Sequence, residues 1–277
     1  MAAKIGTALV LGMVLIVAAI GAWRWFAGLN GVAAVMHVDE RPFLKPDPRL
    51  WDVFLKEVVT DGGLVDYQRA AGPARQHLNA YLAEVARATP AQFPDEAARL
   101  AFLINAYNAF VIQGVLQHRP IQSVEDAGPL RQFFRERAYL LAGRKVSLHG
   151  LETTLIQPLD ARVHFALNCA ARSCPPLRAE AYVPDRLEAQ LSEAETAFIN
   201  NERYNHYDPE EKVWRLSSIF KWYLADFGGE QGLRNLLQAR GPRGTVVEAP
   251  ITYLPYDWSL NDSRRGPLPA IQSDSAD

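Results

Sequence analysis

The sequence predicts an α+β fold: a single globular domain with one long buried helix and a small mixed or antiparallel sheet, preceded by an N-terminal membrane helix. Apolar residues run almost without a break from Leu100 to Val115, which is typical of a buried helix. The short β-rich stretches come later and do not alternate regularly with helices, which argues against a doubly wound parallel sheet.

The composition is that of a chain that folds around a core. Of its 277 residues, 49% are hydrophobic and 22% are charged, which excludes a disordered or collagen-like chain. The 29 basic and 31 acidic residues give a net charge of −2. Nucleic-acid-binding domains usually show a clustered basic excess, so we expect no nucleic-acid partner.

The N-terminus contains a long uncharged segment. Nineteen residues from Ile5 to Trp23 lie between Lys4 and Arg24. As a helix they would be about 28 Å long, close to the thickness of a bilayer's hydrocarbon core. We expect residues 1–26 to be a membrane anchor, with a cleaved signal peptide as the alternative. Both interpretations place the remaining chain on the periplasmic or extracellular side, and an uncleaved helix makes the membrane a partner.

The rest of the chain divides into a linker, a domain and a tail. Residues 27–48 contain Gly, Ala and Pro without a sustained period and predict a linker, residues 49–261 form the domain, and residues 262–277 predict a disordered tail. Hydrophobic spacing within the domain predicts, in order, helices over 51–59, 75–88 and 95–117, a strand at 145–148, a helix over 149–155, a buried strand over 162–168, a helix over 184–201, a strand at 213–216 and helices over 217–226 and 230–240.

The densest group of reactive side chains lies in residues 162–177. In the predicted strand, alternate side chains share a face, so His164 and Asn168 would lie together, with Cys169 on the opposite face. The strand would end in a loop where Pro175 and Pro176 follow Cys174. Because proline fixes φ, this loop should be stiff enough to hold a reacting group.

Three interpretations of this group remain open. Cys169 and Cys174 could form a disulfide, which an exported protein permits. One of them could instead be a nucleophile activated by a nearby base or cation, with His164, His149 and Arg172 as candidates. The third interpretation is a metal site of His164 and the two cysteines, with His149 as a possible fourth ligand, although their spacing matches no standard zinc pattern. Otherwise the two cysteines would be buried, inert thiols.

Two further places could contribute polar groups. Asn105 and Asn108 share a face of the long apolar helix, where asparagine is unfavourable without specific partners. They could fix neighbouring backbone or serve the site directly. Glu152 lies in the first turn of a predicted helix, where the helix dipole favours a carboxylate. Alternatively, Glu152 could orient a histidine.

Several common functional motifs are absent from the sequence. It contains no P-loop, no G-x-G-x-x-G, no G-x-S-x-G and no H-E-x-x-H. These absences argue against nucleotide-dependent enzymes, serine hydrolases and zinc proteases of those types. We therefore expect neither a cofactor nor a resident metal.

The motifs together resemble the DUF547 family of domains of unknown function, in its bacterial membrane-anchored or exported branch. The resemblance covers about residues 64–261 and depends on LVDY (64–67), FLINAYNAFVI (102–112), SLHGLE (147–152), HFALNCAARSCPPL (164–177), IFKWYLADF (219–227) and YLPYDWSLN (253–261). Many relatives have His just after the glutamate, where this chain has Thr153, and the histidine here comes earlier, at His149. The resemblance implies no established activity or catalytic residues.

The leading hypothesis is a membrane-tethered domain with a cysteine-dependent hydrolase or acyl transferase site of papain-like or transglutaminase-like logic. Cys174 would attack a carbonyl, with Cys169 as the other candidate sulfur, and His164 would act as base and then acid. Its substrate would be a peptide or small molecule containing an amide or a thiol. The imidazole would be oriented by one of three side chains: Asn105, Asn168 or Glu152. The alternative is a non-catalytic binding or assembly module braced by a Cys169–Cys174 disulfide.

Overall fold

The computed structural model describes residues 46–89, 93–128, 132–242, 244 and 246–266. In these ranges the helices are α1 (Pro48–Val58), α2 (Tyr67–Ala71), α3 (Arg75–Arg87), α4 (Glu96–His118), α5 (Gln132–Arg135), α6 (Leu148–Gly150), α7 (Leu187–Ile199), α8 (Ser218–Trp222) and α9 (Gly229–Arg240). The strands are β1 (Tyr139–Leu141), β2 (Arg144–Val146), β3 (His206–Asp208), β4 (Val213–Leu216) and β5 (Ile251–Tyr253). The predicted mixture of helices with small sheets is confirmed, whereas the predicted membrane anchor and most of the predicted linker lie outside the described residues.

The strands form two small sheets. Strands β1 and β2 make an antiparallel hairpin in which Tyr139 pairs with Val146. Strand β4 lies at the centre of the second sheet, antiparallel to β3 and parallel to β5. The predicted strand at 213–216 is confirmed residue for residue, and the one at 145–148 begins one residue earlier and ends before Ser147, which caps α6 instead.

Helix α4 is the long buried helix that the sequence predicts. Asp95 caps its first turn by accepting a hydrogen bond from the Ala98 amide at 2.6 Å. Every residue from Leu100 to Ile112 is buried. Its length and hydropathy would also suit a membrane span. However, 83% of its most apolar 18-residue stretch is buried inside the protein, as in a core helix.

Two apolar clusters flank the site. The larger is built around α1, α3 and α4 and includes Leu167. The smaller contains Phe165 and Ile219 with the apolar side of the second sheet. Leu167 and Ile219 also line one cavity, so residues from both clusters form its walls.

The predicted strand over 162–168 is wrong. Residues Ala161–Phe165 form a 3₁₀ helix, capped by Asp160, whose carboxylate accepts from the Arg162 amide at 2.8 Å. His164 and Asn168 therefore do not share a strand face. Within the stretch predicted as a tail, Ser263–Arg265 form a 3₁₀ turn and Asp262 pairs with Val65, while residues 267–277 lie outside the described residues.

The helix predicted over 149–155 is present in an unusual form. After the single α-turn of α6, residues Leu151–Ile156 continue as a π-helix. π-helical turns are rare and occur frequently at functional sites. This turn contributes Glu152 to the cavity wall.

Candidate functional site

A cavity of about 360 Å³ brings together most of the reactive side chains predicted from the sequence. This volume is within the range of small-molecule sites. Its wall contains both cysteines, four His, Glu or Arg side chains and six aromatic rings: Cys169, Cys174, Arg135, His149, Glu152, His164, Tyr107, Phe134, Trp222, Tyr223, Tyr256 and Trp258.

His164 is held by two neighbours. Its Nε2 lies 2.7 Å from Oδ2 of Asp226, and its ring stacks on Tyr223 with the centroids 3.8 Å apart. The His164 side chain is 2% exposed, whereas that of Asp226 is 42% exposed. Burial lowers the pKa of His164 below its ordinary value, although the Asp226 carboxylate acts in the opposite direction. Burial therefore favours the neutral form of the imidazole.

This geometry fixes the tautomer of His164. A carboxylate only accepts hydrogen bonds, so the proton of the neutral ring resides on Nε2, which donates to Asp226. Nδ1 then carries the lone pair. An imidazole oriented by a carboxylate in this way can take a proton at its other nitrogen, as a general base does.

The carboxylate of Glu152 is held by three hydrogen-bond donors. Its Oε2 accepts from Tyr107 Oη at 3.1 Å, and its Oε1 accepts from Tyr223 Oη at 2.8 Å and from Gln157 Nε2 at 3.1 Å. Burial raises the pKa of Tyr107 well above its ordinary value, so this phenol remains a donor. Glu152 thus contacts His164 indirectly, through the stacked ring of Tyr223. The carboxylate bonded to the imidazole is that of Asp226, in the orienting role that the sequence analysis considered for Glu152.

Cys169 and Cys174 form a disulfide, with their Cα atoms 6.0 Å apart. This finding agrees with the first of the three interpretations of the pair. The bond takes up both cysteines of the chain, so neither sulfur can act as a nucleophile or a metal ligand until the bond is reduced. The backbone amide of Cys169 donates to Cys174 Sγ at 2.8 Å, and Tyr256 Oη lies 3.2 Å from each sulfur.

The disulfide loop is positioned by buried amides. Asn168 donates to the Pro175 carbonyl at 2.8 Å and accepts from the Ala170 amide at 2.9 Å, so its side chain joins both ends of the loop. Asn108 on α4 accepts from the Asn168 amide at 2.9 Å and donates to the Ala166 carbonyl at 3.0 Å. The asparagines therefore shape the loop through backbone contacts.

Asn105 lies away from the cavity. Its side-chain oxygen accepts from the Tyr182 amide at 2.9 Å, and its nitrogen donates to the Tyr182 carbonyl at 2.7 Å. Both contacts fix the segment before α7. Asn105 thus has the backbone-bridging role that was one of its two predicted roles, and it orients no histidine.

Two site residues were missed by the sequence reasoning. Asp226 and Tyr256 lie 62 and 87 residues from their partners His164 and Cys169. Asp226 is the last residue of the predicted helix over 217–226, and Tyr256 lies in a short aromatic run; the sequence analysis assigns neither of them a role. The only available signal was their presence in the IFKWYLADF and YLPYDWSLN motifs.

The described part of the chain holds no group of three or more His, Cys, Asp or Glu side chains arranged to bind a metal ion. His149 is exposed at the cavity wall, and the two sulfurs are bonded to each other. Arg172, the other candidate activator, is buried and donates to the Gly266 carbonyl at 3.2 Å. The side chains in the cavity wall can supply acid–base and sulfur chemistry.

Comparison with known proteins gives one match. No curated protein and no solved structure matches the chain. The model of one family, described as a protein of unknown function, matches residues 91–199. That region includes α4, Glu152, His164 and both cysteines. The family is DUF547, and residues 91–199 of this chain are a DUF547 region.

Proposed function

We propose that this protein is a cysteine-dependent hydrolase or acyl transferase whose nucleophile, Cys174, becomes available when the Cys169–Cys174 disulfide is reduced. The observation that supports the proposal best is the His164–Asp226 pair, with Nε2 and Oδ2 2.7 Å apart, in the wall of the cavity that also contains the sulfurs. A base oriented by an acid, in the same cavity as a sulfur, is an arrangement that can activate a thiol.

The reaction assigns one role to each group. Nδ1 of His164 takes the thiol proton of Cys174, and the thiolate attacks a carbonyl carbon. The resulting imidazolium returns the proton to the leaving alcohol or amine as the carbon–heteroatom bond breaks. Water or an amine, deprotonated at Nδ1, then attacks the thioester and releases the acyl product and the thiol.

Two donors would stabilise the Cys174 thiolate. The Cys169 amide lies 2.8 Å from Sγ and Tyr256 Oη lies 3.2 Å from it. Hydrogen bonds to the charged form lower the pKa of a thiol. Asp226 replaces Asn105, Asn168 and Glu152 as the group that orients the imidazole.

The experiment compares hydrolysis of an umbelliferyl acetate probe by the full chain with and without a phosphine reductant. We expect turnover only after reduction, and loss of at least about a hundredfold in Cys174→Ser and in His164→Gln. Cys169→Ser should be active without reductant, because it releases Cys174. Asp185→Asn, an exposed acid outside the cavity, is the matched control. Equal rates in Cys174→Ser and the reduced wild type would contradict the proposal.

The disulfide itself favours a second candidate, a non-catalytic binding or assembly module. In that case the bond braces the loop and the aromatic rings bind a peptide or small ligand. This candidate predicts that reduction and Cys174→Ser leave every acyl-transfer assay at the uncatalysed rate.

We further propose that residues 1–26 tether the domain to a membrane on its periplasmic or extracellular side. The support is the uncharged segment from Ile5 to Trp23. Expression of the full chain followed by fractionation should place it in the membrane pellet, resistant to carbonate extraction and accessible to protease added outside. Recovery in the soluble fraction with an intact N-terminus would contradict the tether.

A further inference from the structure

We propose that the Cys169–Cys174 disulfide exchanges with a low-molecular-mass thiol, and that the exchange has one direction: the thiol attacks Cys169 and Cys174 leaves as a thiolate. This is an activity in its own right, oxidation of a thiol by the protein. The exchange does not depend on the proposed acyl transfer, but it would supply the free Cys174 that acyl transfer needs.

Access favours attack at Cys169. Both sulfurs line the cavity, but Cys169 is half-buried, whereas Cys174 is 4% exposed. Which sulfur is attacked depends on access as well as on chemistry. A thiolate that enters the cavity therefore reaches Sγ of Cys169 more easily.

Hydrogen bonding favours departure of Cys174. Its Sγ accepts a hydrogen bond from the Cys169 backbone N–H at 2.8 Å. Among the described residues, no backbone N–H donates to Cys169 Sγ in the same way. Tyr256 Oη lies 3.2 Å from both sulfurs and so supports whichever one is negative. Since a better-stabilised thiolate leaves faster, the backbone donor sets the direction.

The loop geometry keeps the released thiol in place. Asn168 joins the Pro175 carbonyl to the Ala170 amide, and the Arg172 amide donates to the Ser259 carbonyl at 2.9 Å. These contacts do not involve the sulfurs, so they persist in the reduced loop. The dithiol therefore stays arranged to close again.

The exchange balances with two thiols. The first thiolate forms a mixed disulfide with Cys169 as the S–S bond breaks and its electron pair moves to Cys174. A second thiolate attacks the outer sulfur of the mixed disulfide and releases Cys169. In sum, two thiols lose two electrons and two protons and form a disulfide, while Cys169 and Cys174 become thiols.

The cavity volume of about 360 Å³ matches a small thiol better than a folded protein partner. We therefore test glutathione as the probe. The oxidised full chain, kept folded, is incubated with glutathione, trapped with excess N-ethylmaleimide, and then acidified and digested. We expect the glutathione adduct on Cys169 and the label on Cys174, with at least a tenfold preference over the reverse.

Two results would overturn the inference. One is a glutathione adduct on Cys174, or equally on both cysteines. The other is an absence of exchange in the folded chain, with reduction only after guanidinium unfolding, which would make the bond a structural brace. Neither readout uses an acyl substrate, so failure here is distinguishable from failure of the proposed hydrolase or transferase.

A second variant tests the hydrogen bonding. Tyr256→Phe removes the phenol from both sulfurs and should slow exchange by about tenfold, because a donor to the leaving thiolate is lost. Tyr253→Phe, on β5, should exchange at the wild-type rate and serves as its control. A Tyr256→Phe chain that exchanges as fast as wild type, with an unchanged unfolding midpoint, would remove the phenol from the account.

Discussion

At the scale of single residues, the hydrogen bond between His164 and Asp226 decides which imidazole nitrogen can act as a base. Two opposing influences act on this ring: burial lowers the pKa of His164, and the neighbouring carboxylates, Asp226 first and then Glu152, raise it. Burial is the larger of the two, so the neutral form is favoured near neutral pH. The proton on Nε2 is then shared with Asp226, and Nδ1 is left for chemistry.

Asp226→Asn should lower the pKa of His164 further, because the carboxylate that raises it is removed and burial remains. The acid limb of activity would move to lower pH, while the rate would fall because the amide can also bind the wrong tautomer. NMR titration of the His164 ring in the full chain measures the shift, with Asp185→Asn as the control. A pKa that rises in Asp226→Asn would contradict this account of the pair.

Asn168→Ala should destabilise the fold by about 3 kcal/mol, since it leaves buried partners unsatisfied. The side chain of Asn168 makes hydrogen bonds to the Pro175 carbonyl, the Ala170 amide and the Asn261 side chain. Urea unfolding measures the loss. Asn235→Ala, on the exposed side of α9, should change stability by less than about 0.5 kcal/mol. If Asn168→Ala lowered the free energy of unfolding as little as Asn235→Ala does, the hydrogen bonds of Asn168 would be dispensable for stability.

At the scale of elements, helix α4 packs so closely against its neighbours that alanine in place of Gly114 should destabilise the protein. Alanine usually stabilises a helix relative to glycine by about 1 kcal/mol. A Cβ at Gly114, however, would lie 2.4 Å from Tyr139 Oη and 2.8 Å from Phe133 Cζ. The packing effect should therefore reverse the usual sign.

Gly114→Ala should cost about 1–3 kcal/mol, because the rings of Tyr139 and Phe133 must shift in a filled core. Gln117→Ala, at an exposed position one turn later, is the matched control and should be close to neutral. Thermal or urea unfolding checks both. Stabilisation by Gly114→Ala would mean that the hairpin β1–β2 and α5 do not pack on α4 as described.

The elements also show where sequence patterns succeed and fail. Apolar continuity predicts α4 correctly, because a helix buried on all sides has that pattern whatever surrounds it. The stretch 162–168 has high β propensity, yet tertiary contacts override it. Asp160 caps a 3₁₀ turn there, and the Asn108 side chain occupies the Ala166 carbonyl and Asn168 amide that a neighbouring strand would use.

At the scale of the whole molecule, the disulfide closes only a short loop within an extensive core. The two cysteines are five residues apart in sequence. By the loop-entropy argument, such a bond contributes about 2 kcal/mol, whereas the apolar clusters around it do not depend on it. The reduced protein should therefore remain folded.

Reduction with a phosphine, or the double variant Cys169→Ser/Cys174→Ser, should lower the free energy of unfolding by about 2 kcal/mol and leave the far-ultraviolet circular dichroism unchanged. Urea titration of the oxidised and reduced chains measures the difference. Loss of the folded spectrum on reduction would make the bond essential to the fold and leave no folded thiol form for catalysis.

Long-range packing is the reason that only part of the site follows from the sequence. His164, Cys169, Cys174 and Glu152 could be nominated because their residue types cluster within 152–174. Asp226 and Tyr256 reach the same cavity only through the packing of α8 and the segment after β5. Spacing carries no information on such long-range contacts, and the membrane anchor and envelope location stay predictions.

The central claim is that Cys174, once reduced, shares one cavity with an oriented imidazole. The most direct test is the rate of Cys174 alkylation by iodoacetamide in the reduced, folded full chain at pH 7, mapped by peptide mass. The account predicts that wild type reacts about tenfold faster than His164→Gln, because His164 promotes the thiolate. Equal rates in the two chains, or labelling of Cys174 only after unfolding, would contradict it.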